Sequence, residues 1–120
     1  MIDFVSKPLT NSVAVVEVSG RLTELNRQYF FDCVTDMIAS GYKHIIIECD
    51  KLGSLNSGGL AALLTARKRA VKNGGKIHFT HLNSSIAYLI EITKLGRILS
   101  VYPTTGEALS SLEDELASIA

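Results

Sequence analysis

The sequence predicts an α/β fold, with four or five strands in a mixed, mostly parallel sheet that packs against about four helices. Two observations lead to this prediction: short runs of β-branched and other apolar residues alternate with amphipathic stretches, and turn residues separate the segments. Strands joined through helices form parallel pairs by right-handed crossovers, and an antiparallel hairpin can begin the sheet. At 120 residues, one core suffices, so we expect a single domain over residues 1–120.

The first half of the chain predicts a hairpin, a helix and a central strand. Residues 13–20 form a β-branched run that ends at glycine, residues 2–5 can supply a strand beside it, and Pro8 and Asn11 mark the turn. From Phe30 to Gly41 the apolar residues follow helical spacing, which predicts a helix of about four turns. Residues 44–49 have an unbroken apolar centre, typical of a strand in mid-sheet. We expect residues 50–55 to form a loop.

The second half predicts three more helices and two more strands. Residues 57–72 are rich in Ala and Leu and end at two glycines, with an apolar face formed by Leu60, Leu63, Leu64 and Val71. Residues 76–82 predict a strand, and Asn83 or Ser84 can cap a helix that extends to Gly96. A short strand follows over residues 99–102. The closing helix can begin with a capping box formed by Thr104 and Glu107. Its apolar face consists of Leu109, Leu112 and Leu116.

The composition argues against several classes of function. Twelve basic and twelve acidic residues give zero net charge, so no long-range field favours nucleic acid or an anionic membrane. No run approaches the ~20 apolar residues of a membrane span, and the N-terminus has no secretory pattern, so we expect a cytoplasmic protein. Cys33 and Cys49 lack a metal-binding spacing and are interpreted as reduced apolar residues. We expect no metal and no cofactor.

The candidate functional segment is a polar, glycine-rich turn at residues 53–59, which leads from a strand into the second helix. Amides of Ser57, Gly58 and Gly59 at such a helix start would be unpaired and would favour a negative group such as phosphate. The alternative is purely structural, with Asn56 or Ser57 as the N-cap and the glycines allowing close packing. The segment matches neither a Walker loop nor the GxGxxG motif.

Several short motifs occur in an order and spacing that match one known family. They are Asn56-Ser57-Gly58-Gly59-Leu60, Gly74-Gly75, Leu95-Gly96 and Glu107-Ala108-Leu109. Together they resemble the STAS family of bacterial anti-sigma factor antagonists over nearly the entire chain. This family has an Asp-Ser-Ser/Ala-Gly-Leu turn at the position of residues 56–60.

The resemblance implies a partner-switching regulator that is phosphorylated on Ser57. An anti-sigma-type serine kinase would be the partner, and a metal-dependent serine phosphatase would restore the hydroxyl. The resemblance further implies that the partner-binding surface comprises Thr23, Ser54, Asn56, Ser57, Gly58, Gly59 and Leu60. Two positions depart from the family pattern, because Asn56 and Thr23 stand where the family has acids. Asparagine can cap the helix but cannot accept a proton as aspartate does.

Two other functions are weighed against the switch. The chain could be a STAS-like structural subunit of a transport or signalling assembly, in which the same helix docks without being phosphorylated. It could also be an enzyme with Ser57 as nucleophile, but no Gly-x-Ser-x-Gly elbow and no histidine in a recognisable strand-end loop support this. We therefore expect no enzymatic activity. Self-association as a weak homodimer stays open.

The remaining charged and polar groups are interpreted as structural. Four cations in the last turns of the second helix complement the helix dipole, with a partner-binding rim as the alternative; they are Arg67, Lys68, Arg69 and Lys72. His78 and His81 should lie on opposite faces of their strand, and His44 is taken as an ordinary strand residue. Asp32 and Asp36 predict a solvated acidic helix face.

Overall fold

A computed structural model describes the backbone of residues 2–119 and the side chains of residues 2–112. Five strands and four α-helices alternate after an initial hairpin, with one 3₁₀ turn before the last strand. Their bounds are β1 Ile2–Pro8, β2 Val13–Leu22, α1 Arg27–Ala39, β3 His44–Leu55, α2 Ser57–Lys72, β4 Lys76–Thr80, α3 Ser84–Ile92, the 3₁₀ turn Leu95–Arg97, β5 Ser100–Tyr102 and α4 Thr105–Ile119.

The five strands form one sheet in the order β1-β2-β3-β4-β5. β1 pairs antiparallel with β2, from Ile2 opposite Gly20 to Pro8 opposite Ala14, and every other pair is parallel. The predicted α/β class, the opening hairpin and the central position of the strand at residues 44–49 are thereby confirmed.

Helices cover both faces of the sheet. Ile45 and Ile47 of β3 belong to a core cluster with residues of α1, α2 and α3, whereas Ile46 between them belongs to a cluster with Ala108 and Leu112 of α4. Since successive side chains of a strand point to opposite faces, three helices pack on one side and α4 packs on the other. This double coverage explains the unbroken apolar centre of β3.

Residues 50–55 were predicted to form a loop, but in the structure they continue β3. This is the largest error in the predicted elements. Residues 51–55 pair with residues 19–22 of β2, with a register shift beside Gly53, and the side chain of Leu52 is only 1% exposed. The extra residue of a β-bulge breaks the alternation of side chains and makes this stretch look like a loop. In addition, α1 begins at Arg27, three residues before the predicted start at Phe30.

The bounds of α2 agree with the prediction, but its buried face does not. The face against the sheet consists mainly of small residues, namely Gly59, Ala62, Leu63, Ala66 and Ala70. Leu60 and Leu64 are half-buried, and Val71 is 51% exposed. Small side chains let the helix axis approach the sheet closely, so they occupy the interface and larger apolar residues lie at its margins.

The later elements match the prediction except at their ends. β4 ends at Thr80 because His81 has a φ of 57°, and the imidazole Nε2 of His81 accepts a 3.3 Å hydrogen bond from the amide of Thr105 at the start of α4. His81 was predicted to be a strand residue, but it follows the end of β4, and its ring contacts the first residue of α4. The Thr104 hydroxyl accepts a 3.1 Å bond from the amide of Glu107, as expected of a capping residue. Leu116 lies outside the described side chains.

Candidate functional site

The turn between β3 and α2 is organised by Asn56. Its backbone is extended, and its side-chain Oδ1 accepts a 2.9 Å hydrogen bond from the amide of Gly59. Asn56 is thus the N-cap, which decides between the two residues that the sequence left open. The Ser57 side chain is exposed at the first helical position, and within the described part of the chain its hydroxyl makes none of the hydrogen bonds that hold the turn.

Two backbone amides remain available at this helix start. The Gly59 amide donates to the Asn56 cap and the Leu60 amide donates to the Asn56 carbonyl, at 2.9 Å each. Among the described residues, the amides of Ser57 and Gly58 have no acceptor within the protein. The expectation of three unpaired amides was therefore wrong for Gly59. Two free donors and the positive end of α2 still favour a negative group at Ser57.

A second turn, at residues 23–26, packs directly against the start of α2. The Asn26 side chain holds this turn, because its Oδ1 accepts from the amide of Thr23 (2.9 Å) and its Nδ2 donates to the carbonyl of Arg21 (2.7 Å). A Cβ on Gly58 would lie only 2.9 Å from the backbone nitrogen of Glu24. Glycine at position 58 is thus required for this close approach.

Glu24 brings a carboxylate to the site. Its Oε2 accepts a 2.8 Å hydrogen bond from the side-chain Nδ2 of Asn56. The pKa of Glu24 lies below its ordinary value, mainly because its own backbone amide hydrogen-bonds the carboxylate and secondly because Asn56 does. The carboxylate is therefore ionised at neutral pH and lies beside the first turn of α2.

Gly59 fixes α2 to the end of β2. A Cβ at this position would overlap the carbonyl oxygen of Leu22 and come within 2.9 Å of the Cβ of Leu55. Leu22 is fully buried, so its carbonyl cannot move aside without disturbing the core. The helix start, and with it the position of Ser57, is consequently set by the two strand ends.

The structure brings most of the predicted site residues together. Thr23 and the turn at residues 56–59 lie side by side, with Asn56 and Ser57 exposed and Gly59 buried. Ser54 is exposed on β3 opposite Arg21, and Leu60 is half-buried one turn into the helix.

Glu24 and Leu25 are two residues of this turn that were not predicted to belong to the site. Thr23 was predicted to belong to the site, whereas the carboxylate that hydrogen-bonds Asn56 belongs to the next residue, Glu24. Leu25 is 91% exposed next to this carboxylate. An apolar residue within an otherwise polar turn was the available signal for Leu25.

Other chemistry-bearing side chains lie away from this turn. The His44 and His78 rings are neighbours, with Nδ1 of His44 3.3 Å from Nε2 of His78, and Nδ1 of His78 is 2.8 Å from the Ser100 hydroxyl. This contact between the two histidines was not predicted, because it arises from the pairing of β3 with β4. Among the described residues, no three His, Cys, Asp or Glu side chains are grouped as a metal site would require.

These features define a class of protein: a small α/β domain that presents an exposed serine at a helix N-terminus, on a turn fixed by two strand ends. The family model described as "STAS domain" matches residues 5–108. The chain belongs to the STAS domain family, and the resemblance noted from the sequence motifs is confirmed.

Three similar proteins illustrate the range of the family. The "Putative anti-sigma factor antagonist TM1081 homolog" of Thermotoga neapolitana is 26% identical over 97 residues, which cover 81% of this chain and 83% of the relative. The crystal structure of the corresponding Thermotoga maritima protein, TM1081, superimposes with a TM-score of 0.83 at 23% identity, covering 92% of this chain and 94% of that one. Phosphorylated SpoIIAA, a Bacillus cell fate determinant, gives a TM-score of 0.68 at 15% identity and covers 92% and 99%.

Over the described residues, none of the helices combines the length and the apolar character needed to cross a bilayer.

Proposed function

We propose that this protein is a partner-switching regulator whose binding to an anti-sigma-type serine kinase is controlled by phosphorylation of Ser57. The observation that carries the proposal is the placement of Ser57, which is exposed at the first residue of α2, where the amides of Ser57 and Gly58 have no acceptor among the described residues. The whole chain acts as one domain in the cytoplasm, a serine phosphatase reverses the modification, and the domain performs no catalysis of its own.

The surface around Ser57 suits a protein partner. Leu25 is almost fully exposed beside the turn, and Asn56 and Ser57 are exposed next to it. An apolar side chain flanked by polar groups is a common anchor of protein interfaces. A partner that covers this surface must desolvate whatever charge Ser57 carries.

Phosphorylation would add about −1.5 to −2 charges at this position. In the free domain the phosphate lies in water at the positive end of a helix, so the fold tolerates it. Under a bound partner the same charge is desolvated or faces partner acids, which costs a few kcal/mol and lowers affinity by orders of magnitude. Binding of the unphosphorylated form and release of the phosphorylated form follow from this difference.

The similar proteins support the same proposal. Both Thermotoga relatives carry the description "Putative anti-sigma factor antagonist", and the Bacillus protein SpoIIAA was solved in a phosphorylated form. The solved structures of TM1081 and SpoIIAA share the fold of this chain.

The chain offers a matched control for the modification site. Asn83 caps α3 as Asn56 caps α2, and Ser84, like Ser57, is the exposed first residue of its helix. However, the Asn83 side chain also donates a 2.9 Å hydrogen bond to the carbonyl of Leu52, so it anchors α3 to β3. The two serines therefore share local geometry and differ in their surroundings.

The test is the intact mass of the protein recovered from its own cells, before and after phosphatase treatment. We expect one removable phosphate that is lost in Ser57→Ala and retained in Ser84→Ala. The kinase partner is then titrated with phosphorylated and unphosphorylated protein, and we expect it to bind the unphosphorylated form far more tightly. Equal affinity for the two forms would overturn the switch and favour a structural STAS subunit of a transport or signalling assembly.

A further inference from the structure

A second surface feature lies along α2, next to the Ser57 turn. It is a groove of about 410 Å³ between α2 and Ile98, the residue that follows the 3₁₀ turn. We call it the α2 groove; its lining residues are Ala61, Leu64, Thr65, Arg67, Lys68 and Ile98.

The α2 groove continues the helix face on which Ser57 lies. Ala61, Leu64 and Lys68 follow Ser57 by four, seven and eleven residues, which places all of them along one side of an α-helix. A partner that contacts the Ser57 turn can therefore extend along α2 into the groove without a change of direction. The proposed interface and the α2 groove form one continuous surface.

The floor of the groove is apolar. Leu64 is half-buried there, and Ile98 is 46% exposed although it is a large aliphatic residue. Covering these side chains would remove apolar surface from water, at about 25 cal/mol for each Å². The floor thus favours an occupant with its own apolar side chains.

The rim of the groove is positively charged. α2 carries four cations and no acidic residue, and two of these cations, Arg67 and Lys68, line the groove. In the described part of the chain neither forms an ion pair, whereas Arg69 is engaged on another side of the helix, 4.7 Å above the Phe31 ring.

A smaller neighbouring pocket of about 220 Å³ shares Arg67 and Ile98 with the α2 groove and adds Lys76. No Asp or Glu occurs among the described residues that line the groove or this pocket. The positive potential is therefore local, although the chain as a whole has zero net charge.

We infer that the α2 groove binds an acidic amphipathic segment of the partner protein. The apolar residues of that segment pack on Leu64 and Ile98, and its carboxylates pair with Arg67 and Lys68. This inference rests on the proposed function, because the same partner covers Ser57. It adds that the partner has a second point of attachment, one that is selected by charge and sensitive to salt.

The inference is tested with two synthetic helical peptides of equal length, one with Leu on one face and Glu on the other, and one with Lys in place of Glu. Each is titrated into the ¹⁵N-labelled full chain while amide chemical shifts are recorded. We expect the Glu peptide to shift the amides of Ala61, Leu64, Lys68 and Ile98, and to bind at least about tenfold more tightly than the Lys peptide. Added salt should weaken its binding.

Matched variants identify the groove as the site. Lys68→Glu and Ile98→Ser should each weaken the Glu peptide several-fold, since both side chains are exposed and their replacement leaves the core intact. Lys7→Glu on β1 and Val101→Ser on β5 change an exposed cation and an exposed apolar residue outside the groove, and should leave affinity unchanged. Equal binding of the two peptides, or equal effects of Lys68→Glu and Lys7→Glu, would overturn the inference.

Failure of this inference is distinguishable from failure of the phosphorylation switch. The peptide titration uses unmodified protein and does not depend on Ser57. If the peptides bind alike while phosphorylation still releases the kinase, the switch stands and the groove assignment is wrong. If the Glu peptide binds as expected while phosphorylation leaves kinase affinity unchanged, the groove stands and the proposed switch is wrong.

Discussion

The side chain of Asn56 links Glu24 to the start of α2, because its Nδ2 donates to the Glu24 carboxylate at 2.8 Å while its Oδ1 accepts from the amide of Gly59. An amide can make both bonds at once, since it is a donor and an acceptor. An ionised aspartate at position 56 could cap the helix equally well but could not donate to Glu24. Asparagine at this position is thus matched to the acid at position 24.

This pairing predicts that Asn56→Asp destabilises the fold at neutral pH. The cap is retained, but two carboxylates then lie within hydrogen-bonding distance of each other and repel. We expect a lower Tm for Asn56→Asp and recovery in the double variant Asn56→Asp/Glu24→Gln, in which the amide now lies at position 24. Thermal melts at pH 7 and low salt provide the measurement. A double variant as unstable as the single one would contradict the pairing.

The same contact predicts a pH dependence. The pKa of Glu24 in the folded protein is below its ordinary value of 4.5, so its contribution to stability is present above that value and is lost as pH falls through the lowered pKa. Wild-type Tm should therefore fall more steeply than that of Glu24→Gln as the solution is acidified below pH 4.5. The pKa of Glu17 is also lowered, by Lys51, but its effect on stability is the same in both proteins and does not change the difference between their Tm values.

Gly59→Ala should be strongly destabilising. The added Cβ overlaps the carbonyl oxygen of buried Leu22, so either the start of α2 or the end of β2 must move, at a cost of about 1–3 kcal/mol. Gly106→Ala is the matched control, since Gly106 also lies in the first turn of a helix and a Cβ there meets only the Thr104 hydroxyl at 3.8 Å. Gly106→Ala should be neutral or stabilising. Urea unfolding of both variants measures the difference.

Most of the fold could be predicted because local signals and tertiary contacts agree. The bounds of α2 follow from the cap at Asn56 and the glycines after Lys72, and the central position of β3 follows from the apolar residues 45–47. The extension of β3 to Leu55 could not be predicted, because it depends on pairing with β2 across a bulge at Gly53. The choice of alanines over Val71 as the buried face likewise depends on how closely α2 approaches the sheet.

At the site, Ser57 and the capping role of Asn56 could be predicted from the sequence, but the residues that surround them could not. Ser57 and Asn56 are adjacent to the helix start, so local pattern is sufficient to find them. Glu24 is 32 residues from Asn56, and only the packing of the turn at residues 23–26 against Gly58 brings the two side chains together. Contacts between distant segments of this kind have no local signature in a single sequence.

Cys49 should be inert toward thiol reagents in the folded protein. Burial is the main cause that raises the pKa of its thiol to about 12, so almost no thiolate exists at neutral pH. Burial also raises the pKa of the Cys33 thiol, but Cys33 is only half-buried and a reagent can reach it, so it should react first. Timed alkylation followed by mass spectrometry should show one modified site, Cys33, until denaturant is added. Modification of Cys49 at the rate of Cys33 would contradict the described packing.

Glu24 should reduce the stabilising effect of a phosphate on Ser57. A phosphate on Ser57 is attracted by the positive end of α2 and by the free amides of Ser57 and Gly58, which favours it by about 0.3–2 kcal/mol. The Glu24 carboxylate acts in the opposite sense, because it hydrogen-bonds Asn56, the residue before Ser57, and so places a negative charge beside the first turn of α2. In wild-type protein these two effects oppose each other.

Phosphoserine installed synthetically at position 57 allows the two effects to be separated without a kinase. We expect phosphorylation to change the Tm of the wild type little and to raise that of Glu24→Gln, because only the attraction remains in the variant. The gap between the two responses should shrink in 1 M salt, where the Debye length is about 3 Å and exposed charges are screened. Identical responses at low salt would contradict the predicted repulsion between the phosphate and Glu24.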